Sequence, residues 1–186
     1  MLRTCVVNGW EIATYLDPAH PLQAHIRELI ERLTGARVHA TAVDGCGAPV
    51  HAVSLEGLAR GMHRLGTSSE RSPFALHRSA AALVRAVRDN PWAIEGPGRP
   101  DTIVSERLGV FAKGGAEAVM VMVAPSGATV ALKILDGGAR ATTAVALRLL
   151  QRIGALPDDA VAATMSQLRL AVTGGGSDVG AIRPTV

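Results

Sequence analysis

Ala118-Val119-Met120-Val121-Met122-Val123-Ala124-Pro125-Ser126-Gly127, followed by Ala128-Thr129-Val130-Ala131-Leu132-Lys133-Ile134-Leu135, is the stretch that decides the fold. Residues 118–123 are apolar at every position, with no polar alternation. A strand of that kind needs its two faces covered. Pro125-Ser126-Gly127 supplies a hairpin turn, and residues 128–135 read as the return strand. Just upstream, 110–113 is a further short strand. The expectation is an antiparallel sheet with helices on both faces, which is an α+β architecture.

Working downstream, Asp136-Gly137-Gly138 leads into a helix over about 139–153, closed by Gly154 and Pro157. A shorter helix follows over 158–168. The tail from Thr173 is glycine-rich, with a last strand near 180–183. Its run Gly174-Gly175-Gly176 is either a flexible turn or an anion-binding nest.

Upstream the period is helical. Leu22, Ile26, Leu29, Ile30 and Leu33 fall on one face of a helix over 18–34, with Asp17-Pro18 as its start and Gly35 as its stop. Residues 1–14 are apolar and helix-compatible but begin without a cap. Gly45, Gly47 and Pro49 make 40–53 irregular. A helix over 54–65 places Leu55, Leu58, Met62 and Leu65 inward. Its Gly57 and Gly61, one turn apart, point to a closely packed neighbouring backbone. A helix over 73–89 buries Leu76, Ala80, Leu83, Val84 and Val87, and a Pro/Gly-rich connection fills 90–101. The helical part (1–108) and the sheet-plus-helix part (109–186) are expected to share one core, as a single domain.

Composition narrows the function. The chain has 186 residues, 48% hydrophobic and 19% charged, which fits a globular protein and excludes a disordered one. No apolar run approaches the ~20 residues of a membrane span. No secretory signal is visible, and two cysteines form no disulfide framework, so the cytoplasm is the expected compartment. The formal charge is only +3, and Phe, Trp and Tyr number 2, 2 and 1. Neither multiple phosphate neutralisation nor base stacking is provided for, so nucleic acid is not an expected partner.

Phosphate-binding loops, a dinucleotide fingerprint, HExxH and a Gly-x-Ser-x-Gly elbow are all absent. His20 and His25 lie about 140° apart on a helix and read as surface histidines. Two segments remain. In Asp44-Gly45-Cys46-Gly47-Ala48-Pro49, paired glycines could bend the chain to present a thiol for metal binding or nucleophilic attack. Equally, Cys46 could be a small buried residue in a tight turn. In Lys113-Gly114-Gly115-Ala116-Glu117, a strand-end lysine could aim its ammonium across a cleft, or simply stand exposed before a turn.

These two segments, with Gly96-x-x-Arg99-x-Asp101-Thr102, Lys133-Ile134-x-Asp136-Gly137 and the tail Val179-Gly180-x-Ile182-Arg183-Pro184, resemble the L-asparaginase II family (the class 3, Rhizobium etli-type asparaginases). The resemblance runs along essentially the whole chain. It implies the serine β-lactamase and penicillin-binding-protein architecture, hydrolysis of L-asparagine to L-aspartate and ammonia, and a homodimer. It makes Lys113 a catalytic residue, the lysine of a Ser-Lys pair. It makes Cys46 a zinc ligand, and Asp44, Arg99 and Asp101 substrate-site residues. On the same resemblance the cysteine loop and Lys113 face one pocket.

The departures matter as much. The family nucleophile belongs to a Ser-x-x-Lys, and this chain contains none. Further zinc ligands lie in a Cys-Ser-Gly-Lys-His segment that is also missing, so the ligand set is incomplete. Glycine is usual where Ala118 stands. The expectation is therefore an asparaginase lacking its N-terminal part. The alternative is a non-catalytic remnant or interaction module on the same fold.

Overall fold

The apolar run is a strand, β4 (Val119–Val123), between β3 (Phe111–Gly115) and β5 (Thr129–Lys133) in a three-stranded antiparallel sheet. The computed structural model describes residues 1–186. Phe111 pairs with Val123, and Val119 pairs with both Gly115 and Lys133. Alternation along β4 sends Met120 and Met122 to one face and Val121 and Val123 to the other. Met120, Met122 and Ala112 meet Val104 of α6 (Pro100–Leu108), Leu147 and Leu150 of α7 (Thr142–Arg152) and Val161 of α8 (Asp158–Met165). Phe111 and Val123 meet Val84 and Val87 of α4 (Ala75–Asp89) on the opposite face. Both faces are covered, as the unbroken apolar run requires. Each of these fully buried aliphatic side chains contributes about 1.5–3 kcal/mol.

The chain divides into two compact units, Met1–Gly61 and Met62–Val186, the division falling within α3 (Leu55–Gly66). The first unit holds α1 (Leu2–Asn8) and α2 (Pro21–Thr34), each ended by a left-handed glycine, Gly9 and Gly35. Helix α2 starts three residues later than Asp17-Pro18 suggests. His20 is its N-cap: Nδ1 accepts from the Leu22 amide at 3.0 Å, and Nε2 donates to the Glu11 carbonyl at 2.8 Å. His20 is 5% exposed, so it is a buried capping residue and not a surface histidine. Capping by histidine is rare enough that the Asp-Pro pair misleads.

Residues 40–53 are not irregular but a hairpin, β1 (Ala40–Val43) with β2 (Pro49–Ala52). The expected close packing at Gly57 and Gly61 is present. A Cβ on Gly61 would lie 3.3 Å from Thr34 Cγ2 and 3.6 Å from the Leu33 carbonyl carbon. Two residues expected inward are not: Leu55 is 44% exposed and Leu83 55% exposed. In the second unit a short helix, α5 (Trp92–Glu95), interrupts the Pro/Gly connection. The glycine-rich tail is a hairpin, β6 (Ala171–Gly174) with β7 (Ser177–Ala181), whose turn uses Gly175 and Gly176 at positive φ. No helix is long and apolar enough to cross a membrane.

Candidate functional site

Helix α6 starts at Pro100, whose ring presets the helical φ and whose missing N–H needs no partner there. The next amide, that of Asp101, does need one. It donates to Glu95 Oε2 at 2.8 Å, and Glu95 in turn pairs with Arg99 at 3.6 Å. This arrangement drives the Asp101 side chain inward, where it is only 4% exposed. Its Oδ2 accepts from the Gly114 amide of β3 at 2.5 Å. Glycine eases that approach, since a Cβ at position 114 would stand 3.1 Å from the same oxygen and one of the two would have to shift by a few tenths of an ångström. Burial pushes the Asp101 carboxyl above the usual aspartate range, and the charge of Glu95 pushes it further. The Gly114 N–H and the Lys113 and Arg99 cations oppose the rise.

Asp101 and Gly114 lie on the wall of a cleft of about 580 Å³ in the second unit. Arg99, Gly115, Arg140, Thr143 and Arg169 also line it, with Ile103, Met120 and Leu168 as its apolar part. Lys113 is exposed, and its ammonium donates to the Gly114 carbonyl. Lys133 donates to the Glu117 carbonyl. Between β3 and β4 the chain turns through Glu117 (φ 62°) and Ala118 (φ 56°), both left-handed without being glycine. Such residues cost about 1–3 kcal/mol each and concentrate at functional sites.

In the first unit, Asp44 and Cys46 sit in the turn joining β1 to β2. The Asp44 amide donates to the Ala48 carbonyl at 2.9 Å, and the Gly47 amide to the Asp44 carbonyl at 2.8 Å. Gly47 takes φ +82°, which closes the turn. Cys46 is therefore in a tight turn but exposed, not the small buried residue that is one of the two readings of its spacing. Its Sγ lies 3.7 Å from Asp44 Oδ2. Zinc takes three or four protein ligands. No group of three or more His, Cys, Asp and Glu side chains in the chain could hold a metal ion. The residues present do not fit a complete zinc site.

The sequence profile of the L-asparaginase II family matches residues 1–184. The chain belongs to the L-asparaginase II family. No curated protein matches it. In this L-asparaginase II chain, the positive φ of Ala118 gives the physical reason for the glycine expected there. A Cβ is strained in that conformation.

Of the residues picked from sequence, Arg99 and Asp101 line the cleft, and Lys113 immediately precedes its Gly114-Gly115 wall. Asp44 and Cys46 are neighbours within the other unit. Sequence reasoning missed Glu95, which holds both Arg99 and the Asp101 amide. Its signal was available: a helix opened by Pro100 leaves an unpaired amide, and Glu95 is the nearest acid upstream. Arg140, Thr143 and Arg169 carried no such signal, because the fold alone brings them to the cleft.

Proposed function

We propose that this L-asparaginase II family chain is an asparaginase-type amidohydrolase, its family's reaction being hydrolysis of the L-asparagine side-chain amide to L-aspartate and ammonia. The match over residues 1–184 carries this reading. In this reading Arg99 and Asp101 belong to the substrate site, Asp101 acting by fixing the strand end at Gly114. Lys113, the lysine of a Ser-Lys pair, would pass the proton of an attacking serine hydroxyl to the departing ammonia, and the 186 residues contain no Ser-x-x-Lys to supply that hydroxyl. Asp44 and Cys46 contribute from their turn. A zinc ion held by Cys46 would need donors beyond those present, and no step is routed through it. On the same resemblance the protein works as a cytoplasmic homodimer.

A second reading, a non-catalytic binding module, is favoured by one observation: no Ser-x-x-Lys occurs in the 186 residues. Ammonia release and calorimetry with L-asparagine separate the two. Under the first reading a protein extended to supply the Ser-x-x-Lys pair releases ammonia, and Lys113→Ala in it lowers the rate by about 10²–10⁴-fold. Binding without release supports the second. Neither binding nor release removes the asparagine assignment.

A further inference from the structure

Lys113 and the cleft belong to opposite faces of the sheet. Lys113 pairs with Val121, so it shares the face of Phe111 and Val123, whereas Met120 and the cleft lie on the other. The two meet at the edge. β3 is an outer strand whose one neighbour is β4. Alternate residues of such a strand turn both backbone groups toward the neighbour or both away. The Gly114 amide goes to Asp101 of α6 and not to β4, so the Gly114 carbonyl faces the same open edge. Each of these two groups has a charged partner. The amide has the Asp101 carboxylate, and the carbonyl has the Lys113 ammonium, which reaches it by folding over the edge.

The two charges differ in anchorage. Asp101 is 4% exposed, and its own amide is held by Glu95 Oε2 at 2.8 Å. Lys113 is exposed and forms no ion pair; the Gly114 carbonyl is its hydrogen-bond partner. The rotamer entropy of a lysine is of the same order as one charge-assisted hydrogen bond, so that bond alone leaves the ammonium free to swing. A fixed anion on the same glycine adds the missing attraction. It acts across the glycine and not by direct contact. Burial raises the Asp101 pKa, and the Lys113 cation is among the charges that oppose the rise, so each carries the other's field.

We propose that Asp101 is the positioning residue for Lys113: its carboxylate, fixed through the Gly114 amide at the open edge of β3, holds the ammonium against the Gly114 carbonyl. The inference rests on Lys113 being the proton carrier of the asparaginase reading and adds what aims it. Asp101 then acts through Lys113 and touches no substrate. Its charge is the working part, since an uncharged oxygen would still satisfy the Gly114 amide.

The chain has two lysines, Lys113 and Lys133, and this makes the test direct. Protein grown on lysine labelled with ¹³C at Cε gives two ε-methylene signals in an NMR spectrum, and Lys133→Arg assigns them by removing one. A lysine that swings freely averages its two ε protons to one shift, and a seated one keeps them apart. At pH 8 the unaltered protein shows separate ε protons for Lys113. Asp101→Asn keeps the acceptor for the Gly114 amide and removes the charge; it merges the Lys113 pair and leaves the Lys133 signal unmoved. A purely structural role for Asp101 would leave both lysines as they were in Asp101→Asn. Circular dichroism confirms that the variant folds. Lys113 protons that stay apart in Asp101→Asn refute the proposal, and so do merged protons in the unaltered protein. Ammonia release by the extended protein tests the asparaginase reading separately, and its absence removes that reading while the lysine signals still decide what holds Lys113.

Discussion

Asp101 shows how one residue can tie a helix start to a strand end. Its carboxyl is buried next to Glu95, so ionising it costs free energy, and its folded pKa lies above the unfolded value. Folding then holds a proton that the unfolded chain releases. The contribution of Asp101 to stability is highest below the unfolded aspartate pKa, near 4. It falls as pH rises through the folded value and is level above it. Asp101→Asn keeps an acceptor for the Gly114 amide and removes the charge. Its stability at neutral pH is expected to equal or exceed that of the original protein, and the fall on leaving acid pH is expected to shrink. Asp101→Ala leaves the Gly114 amide buried without a partner and is expected to cost about 1–3 kcal/mol. Urea denaturation of both variants from pH 4 to 8 checks the pair. Asn behaving like Ala would show that the charge itself is needed.

At the scale of elements, the apolar run of β4 was readable because a strand buried on both faces leaves no alternation to misjudge. The helices were readable from their 3.6-residue period. What failed were features that local pattern does not encode. His20 caps α2 although Asp17-Pro18 looks like the start, because the choice depends on a bond to the Glu11 carbonyl nine residues upstream. The β1–β2 hairpin was hidden because all four residues of β1 are exposed, so no buried face imposes a period of two. Gly57 and Gly61 were read correctly, since glycine inside a helix has no local justification. Their role gives a sharp expectation. Helix propensity alone says Gly61→Val stabilises α3 by a few tenths of a kcal/mol. Packing says the reverse, because the added side chain meets both Thr34 and the backbone of Leu33 within 3.6 Å. Backbone cannot yield as a side-chain tip can, so Gly61→Val is expected to destabilise by about 1–3 kcal/mol. A thermal melt of the variant gives the sign directly.

For the molecule as a whole, the family was legible from its glycine-marked motifs, whereas Lys113, expected at a strand end, lies in the middle of β3, which runs on through Gly114 and Gly115. The composition of the cleft was not. Arg140, Thr143 and Arg169 reach it from separate elements, and nothing in their local sequence distinguishes them from other polar surface residues. The same contrast between local and long-range organisation governs stability. The two buried apolar clusters that sandwich the sheet lie within Met62–Val186. Within Met1–Gly61 the buried apolar side chains are Cys5, Leu22, Val38 and Ala48. Amides exchange from locally opened states, and opening is easiest where little apolar surface is lost to water. Hydrogen exchange read by mass spectrometry is therefore expected to be slowest in β4 and α7 and markedly faster in peptides covering β1 and β2. The Cys46 turn should exchange with the fast group, leaving its thiol open to alkylation in the native protein. Uniform protection across β1, β2, β4 and α7 would mean that the first unit draws stability from something other than its own buried side chains.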